Sequence, residues 1–163
     1  MCVPSHYPVP TNEAIRAILA DIVGGRAVTV ALSQDPADTD APGVLADYSV
    51  DDGPVGVLCV ADLSLSNVVG AAIAAETSEQ VDAAVNDNQI ADATIENWNE
   101  VVNQIARLFN SPDTPTLRVR EVRRLPAELP NDVNELLATP LARRAFDVEV
   151  ADLGKGTLAV VVG

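Results

Sequence analysis

Residues 89–110 carry Trp98, Val102, Ile105 and Phe109 at helical spacing, and Ile95, Val101 and Leu108 widen these into a broad apolar stripe. On or near the other side fall Asp92, Glu96, Asn99, Glu100, Asn103, Arg107 and Asn110. A helix that is apolar on one side only has to lie flat on another layer. The rest of the chain supplies that layer. Segments near 26–32, 44–50, 55–61, 116–124, 143–150 and 156–162 read as strands, and Asp51-Asp52-Gly53-Pro54 reads as a hairpin turn between the second and third. Thr11-Asn12-Glu13 caps a helix to about Val23, stopped by Gly24-Gly25. Asp62 or Ser64 starts an Ala-rich helix to about Ala75, Thr77-Ser78-Glu79 restarts helical periodicity, and a short helix is expected at 131–138. The expected architecture is an α+β two-layer sandwich, a mostly antiparallel sheet of about six strands packed by long helices. Residues 1–10, with three prolines, read as a tail or an ordered arm, and 11–163 as one domain.

Only 3% of the chain is aromatic against 48% hydrophobic, so the core has to be built from Ala, Val, Leu and Ile. No apolar run approaches the roughly 18 residues that span a bilayer. Met1-Cys2-Val3-Pro4-Ser5-His6 lacks a charged n-region and an apolar h-region, so no signal peptide is expected and the cytosol is the expected compartment. Cys59 lies in the apolar run Val57-Leu58-Cys59-Val60, which predicts a buried, inert thiol.

The net charge of −14 is unevenly placed: residues 1–106 hold 16 acids and 2 bases, whereas 107–163 hold 8 of each. Such acidity argues against nucleic-acid or anionic-membrane partners, which need a basic footprint. The local exception is Arg118, Arg120, Arg123 and Arg124, expected to pair with the acidic excess elsewhere, with docking of an acidic protein as the alternative. The acidic loop 34–43 lacks the turn glycine and terminal glutamate of a calcium loop and reads as solvated.

Several chemistries are disfavoured. His6 is the sole histidine and lies in the irregular N-terminal segment, so no Ser-His-Asp or Cys-His nucleophile is expected and zinc lacks its usual ligands. No Walker A, Rossmann or kinase signature occurs. Carboxylate and amide chemistry on the long helix remains. Asparagine is a poor helix former, roughly 0.5 kcal/mol worse than Ala, so several in one helix ask for a reason. The pair Glu-x-x-Asn occurs at Glu96/Asn99, Glu100/Asn103 and Glu128/Asn131; the third crosses Pro130 between elements and has no helix to carry it.

A helix face presenting Glu and Asn resembles the CheC/CheX/FliY family of response-regulator phosphatases. The family's extended pattern is Asp or Ser, three residues, Glu, two residues, Asn, then 22 residues and Pro. Glu96/Asn99 has Asp92 at the acidic position, but Val122 where the proline belongs and Asn97 where an apolar residue follows Glu. Glu100/Asn103 has Val101 after Glu and reaches Pro126, with Glu96 in the Asp/Ser position. Relative to Ile95, Glu100 and Asn103 lie at about 140° and 80°, straddling the direction opposite the stripe, while Asn99 at about 40° lies nearer its boundary. Glu100 and Asn103 are therefore preferred, with Glu96 and Asn99 as the alternative register. The element order over 11–162 is similar to the single-site, CheX-like branch. The earlier helix has Asn67 but Ser64 where a second site would need Glu.

The resemblance implies a chemotaxis phosphatase acting on the aspartyl phosphate of a CheY-like receiver. It implies no cofactor of the protein's own, Mg2+ supplied by the receiver, and a homodimer. Asn103 would orient the attacking water and Glu100 would pair with the receiver's lysine. Family members usually carry Gly four residues after Asn, where this chain has Arg107, a residue able to modulate the site. The alternative is a catalytically inactive domain of the same fold acting as a protein-binding or dimerisation module.

Overall fold

A computed structural model describes residues 7–33, 39–51, 53–110, 112 and 115–163. Cys2, His6, Asp52 and residues 34–38 of the acidic loop lie outside them. The helices are α1 (Asn12–Ile22), α2 (Leu63–Ala74), α3 (Ser78–Asn86), α4 (Asp92–Ile105) and α5 (Asn131–Ala138). The strands are β1 (Val28–Ser33), β2 (Gly43–Ser49), β3 (Val55–Asp62), β4 (Arg118–Leu125), β5 (Ala142–Val150) and β6 (Gly154–Val162). They form a six-stranded sheet ordered β1-β5-β6-β3-β2-β4, antiparallel at every pairing.

Local chemistry sets the boundaries. Thr11 caps α1 through the Ala14 amide, Asp62 caps α2 through Leu65, and Thr77 with Gln80 forms a full capping box on α3. The long helix is shorter than its periodicity predicts. It begins at Asp92 rather than 89, and after Ile105 it tightens into a 3-10 turn over Ala106–Leu108. Residues 7–10 are an ordered arm: Tyr7 Oη donates to the Pro115 carbonyl at 2.9 Å and Arg144 Nη1 donates to Pro10 O at 2.9 Å.

Alternation along the strands separates two faces. One buries Val44, Ala46, Tyr48, Val57, Cys59, Phe146, Val148, Leu158 and Val160 beneath α1, α2 and α4. Close approach is built in: a Cβ at Gly156 would meet Leu65 N at 2.4 Å, so glycine there lets α2 settle on β6. The thiol of Cys59 is buried and pushed up to about 12 by burial, as an inert core thiol should be.

The other face carries a second apolar cluster, Leu45, Leu58, Val60, Ala159 and Val161, covered by Val133 and Leu136 of α5. The two expected layers are thus joined by a short third. At its edge Asp47 is wholly buried and accepts from Arg120 Nε at 2.7 Å, with Arg123 Nη2 at 3.5 Å. A bulge in β4 opposite Asp47 and Tyr48 leaves Arg120 out of the ladder. Its guanidinium then reaches Asp132 at the start of α5, with contacts of 2.7 and 3.2 Å, and Asp132 also accepts from Val55 N at 3.0 Å.

Arg120 beside Asp132 holds that carboxyl down at about 2, below the 3.8 of a free aspartate. A depressed folded-state value means stability that is present above pH ~4 and lost as pH falls from ~4 to ~2. Acid unfolding of the parent chain should therefore be steeper across that window than that of Asp132→Asn, measured by denaturant titration at pH 5, 3.5 and 2.5; parallel curves would refute the linkage. On the opposite face, Tyr48 Oη donates to the Val102 carbonyl of α4 at 2.8 Å inside the core. Tyr48→Phe should lower unfolding free energy by about 1–2 kcal/mol, checked by urea denaturation.

Candidate functional site

The outer surface of α4 is set by what its inner surface buries. Trp98, Val101, Val102 and Ile105 are buried, and Trp98 Nε1 donates to the Ser66 carbonyl of α2 at 2.9 Å. Tyr48 holds Val102 from the sheet side, and its ring meets Phe109 edge-on at 5.8 Å between centroids. Between the helices, a Cβ at Gly70 would lie 2.8 Å from Thr94 Cγ2, and Asn97 Nδ2 donates to Gly70 O at 3.4 Å. These contacts fix the rotation of α4 about its own axis, and with it the direction of every outward side chain.

Glu96, Asn99, Glu100, Asn103 and Arg107 are all exposed. Glu100 and Asn103 stand side by side, three residues apart on one surface. Asn103 Nδ2 donates to Asn99 O at 2.7 Å, which ties down the amide nitrogen and leaves Oδ1 toward solvent. Glu100 Oε1 accepts from Gln104 Nε2 at 3.0 Å. Asn99 Nδ2 reaches Ile95 O only at 3.5 Å. Asp92, which precedes the alternative pair, is in an ion pair with Arg124 at 2.6 Å.

Arg107 stands one turn beyond Asn103, and among the described residues no ion pair joins it to Glu100. Both line a groove between α1 and α4, together with Gln104, Asp21 and three isoleucines. Pro126 lies elsewhere. With Asp92 and Arg124 it borders a cleft at the start of α4, roughly 16 Å along the helix axis from Asn103. Asn67 is structural. It is buried on α2 and donates to Leu63 O at 3.1 Å and Gln89 O at 3.0 Å, tying α2 to the segment that leads into α4.

Three of the four clustered arginines are engaged within the chain, as the charge balance predicts. Arg120 and Arg123 meet Asp47, and Arg124 meets Asp92 while its Nε donates to Ile90 O at 2.9 Å. Among the described residues no group of three or more His, Cys, Asp or Glu side chains gathers to hold a metal ion, and no helix is long and apolar enough to cross a membrane.

The α1 side of the groove is not legible in the sequence, because Ile18, Asp21 and Ile22 lie some eighty residues before Glu100. The signal was an apolar stripe on α1 wider than one buried face: Ile15 and Leu19 are buried, while Ile18 and Ile22 flank them half-buried.

No protein-family profile matches the chain, and no curated protein does. Solved structures do. The chain is similar to FliY of Thermotoga maritima, with a TM-score of 0.62 and 14% identity, over 92% of this chain and 82% of that one. It is similar to a chain of the FliM–SpeE complex from H. pylori, with a TM-score of 0.62 and 7% identity, over 93% and 80%. A chain of the CheX–CheY–BeF3–Mg2+ complex from Borrelia burgdorferi matches with a TM-score of 0.51 and 12% identity, over 92% of each chain. At such identities the likeness is one of architecture, and it is consistent: this chain has the α+β fold of the CheC/CheX/FliY family.

Proposed function

We propose that this chain docks onto the phosphorylated receiver of a CheY-like response regulator and hydrolyses its aspartyl phosphate, with Glu100 and Asn103 as the working pair. The observation that carries the reading is their placement: an exposed carboxylate and amide side by side on α4, in a fold shared with a protein solved together with CheY, BeF3 and Mg2+. Asn103 Oδ1 accepts a hydrogen bond from the attacking water and so aims the water oxygen at phosphorus. The P–O bond to the receiver's aspartate breaks, the carboxylate leaves with its electron pair, and the water's proton ends on inorganic phosphate. An amide suits this role because it orients water without placing another anion beside the phosphoryl group. The receiver's own Mg2+ supplies charge neutralisation. Glu100, with Oε1 held by Gln104, offers Oε2 to a receiver lysine and fixes the docking register.

The register rests on two observations. Val101, after Glu100, is fully buried, whereas Asn97, after Glu96, is only half-buried and bonded to Gly70 O. Asp92 is already engaged by Arg124. A dimer belongs to the same reading. It would use the edge strand β1, where Leu32 is 56% exposed, since the β4 edge is crowded with arginines.

Arg107 supports a second reading, in which the domain binds a receiver and does not hydrolyse. Its long cation stands one turn beyond Asn103, where it can occupy the space that water needs.

Phosphate release from an acetyl-phosphate-treated, Mg2+-loaded receiver distinguishes the readings. Asn103→Ala should slow release by about 100-fold, with receiver affinity nearly unchanged, while Asn99→Ala should be close to the parent protein. Loss only in Asn99→Ala moves the site to Glu96/Asn99, and no acceleration by the parent protein leaves the binding module. Because Asn is a poor helix former, the same Asn103→Ala change should stabilise the fold, by about 0.5 kcal/mol in thermal or urea denaturation. A drop in stability would mean that Asn103 is held by packing instead.

A further inference from the structure

Ile18 and Ile22 of α1 and Ile73 of α2 converge, half-buried, on the floor of the groove beside α4, which encloses about 410 Å3. That lies within the range of ligand-binding clefts, roughly 300–1,000 Å3. The rim is polar: Glu100 and Gln104 on one side, Asp21 on the other, Arg107 at the end. Three stiff, branched aliphatic side chains sit next to the carboxylate assigned to docking, so the groove continues the proposed contact surface from Glu100 toward α1.

Charge narrows the occupant. On α1, Glu13 is satisfied by Arg16, which leaves Asp21 as the free acid. On α4, Glu96 and Glu100 are exposed, and among the groove's lining residues Arg107 is the one cation. The surface around the groove is therefore net negative, and an acidic segment would be repelled from it. We propose that this groove takes an aliphatic side chain of the same receiver that meets Glu100, carried on a segment whose neighbouring charges are positive. The inference rests on receiver docking as proposed above and adds which flank of α4 is covered and what chemistry covers it. The apolar anchor supplies affinity, and the acids of the rim select a basic neighbourhood.

The test is methyl NMR of this protein with isoleucine labelling, titrated with a CheY-like receiver loaded with Mg2+ and beryllofluoride, with the Asn103 side-chain amide observed in the same samples. The expected result is that the Ile18, Ile22 and Ile73 methyls shift together with the Asn103 amide. Ile22→Ser should raise the half-saturating receiver concentration about tenfold with maximal turnover unchanged, and Asp21→Lys should weaken binding and flatten its salt dependence. Asn103 shifting while the three methyls stay fixed would overturn the groove and leave the docking reading standing. Methyl shifts without phosphate release would keep the groove and remove hydrolysis. No shift at either place with any receiver would overturn both. Asp21 is exposed, so its variant remains informative if Ile22→Ser proves unstable.

Discussion

Two buried hydrogen bonds hold α4 in place, and everything presented by its outer surface depends on them. Trp98 donates to the Ser66 carbonyl on α2 and Tyr48 donates to the Val102 carbonyl from the sheet below. Aliphatic burial is non-directional, so by itself it fixes depth better than rotation. A directional bond at each of two points, four residues apart, removes that freedom. In a chain with so few aromatic residues, a tryptophan and a tyrosine are both placed where their polar atoms orient one helix. The order Glu100, Val101, Val102, Asn103 alternates accordingly: the exposed pair flanks the two residues that the core holds.

Much of this was legible beforehand, for physical reasons that differ by element. Strong periodicity gave α4, and short runs bounded by turn residues gave all six strands within a few residues, β2 and β3 among them although both of their faces are buried. The ends of α4 were less legible. Its apolar stripe continues through Phe109, but Leu108 closes a 3-10 turn, and spacing cannot distinguish the tighter helix from the ordinary one. Glu100 and Asn103 could be placed on the outer face from angle alone, since that face is determined by the residues opposite it. The groove could not, because its floor comes from α1 and α2 and its rim from α4, and nothing in the sequence records which helices become neighbours.

The layer carried by α5 was hidden for a different reason. Arg120 and Asp132 are twelve residues apart and Asp47 is seventy-three before Arg120, so the network assembles only when β4 pairs with β2 and bulges. A buried aspartate is unfavourable unless paired and hydrogen-bonded, and here a single arginine serves both Asp47 inside and Asp132 at the rim. This makes the position of α5 a consequence of the sheet's register. A slip in that register would leave Asp47 uncompensated, so the ion network opposes mispairing along with the hydrophobic pattern.

Charge placement bears on the proposed docking. Arg120, Arg123 and Arg124, which could offset the acidic half of the chain, are engaged within the chain by Asp47, Asp132, Glu121 and Asp92. Among the residues that line the groove, Asp21 and Glu100 are the acids and Arg107 the one cation. An acidic surface repels free phosphate and weakens product rebinding, yet it also repels a phosphorylated partner unless that partner brings its own cations. A receiver that presents a lysine to Glu100 and holds Mg2+ at its phosphoryl group meets that condition locally whatever its overall charge. On the proposed docking, specificity would follow from how far its positive patch extends toward α1, because a basic, apolar segment over the groove would spare Asp21 from facing like charge.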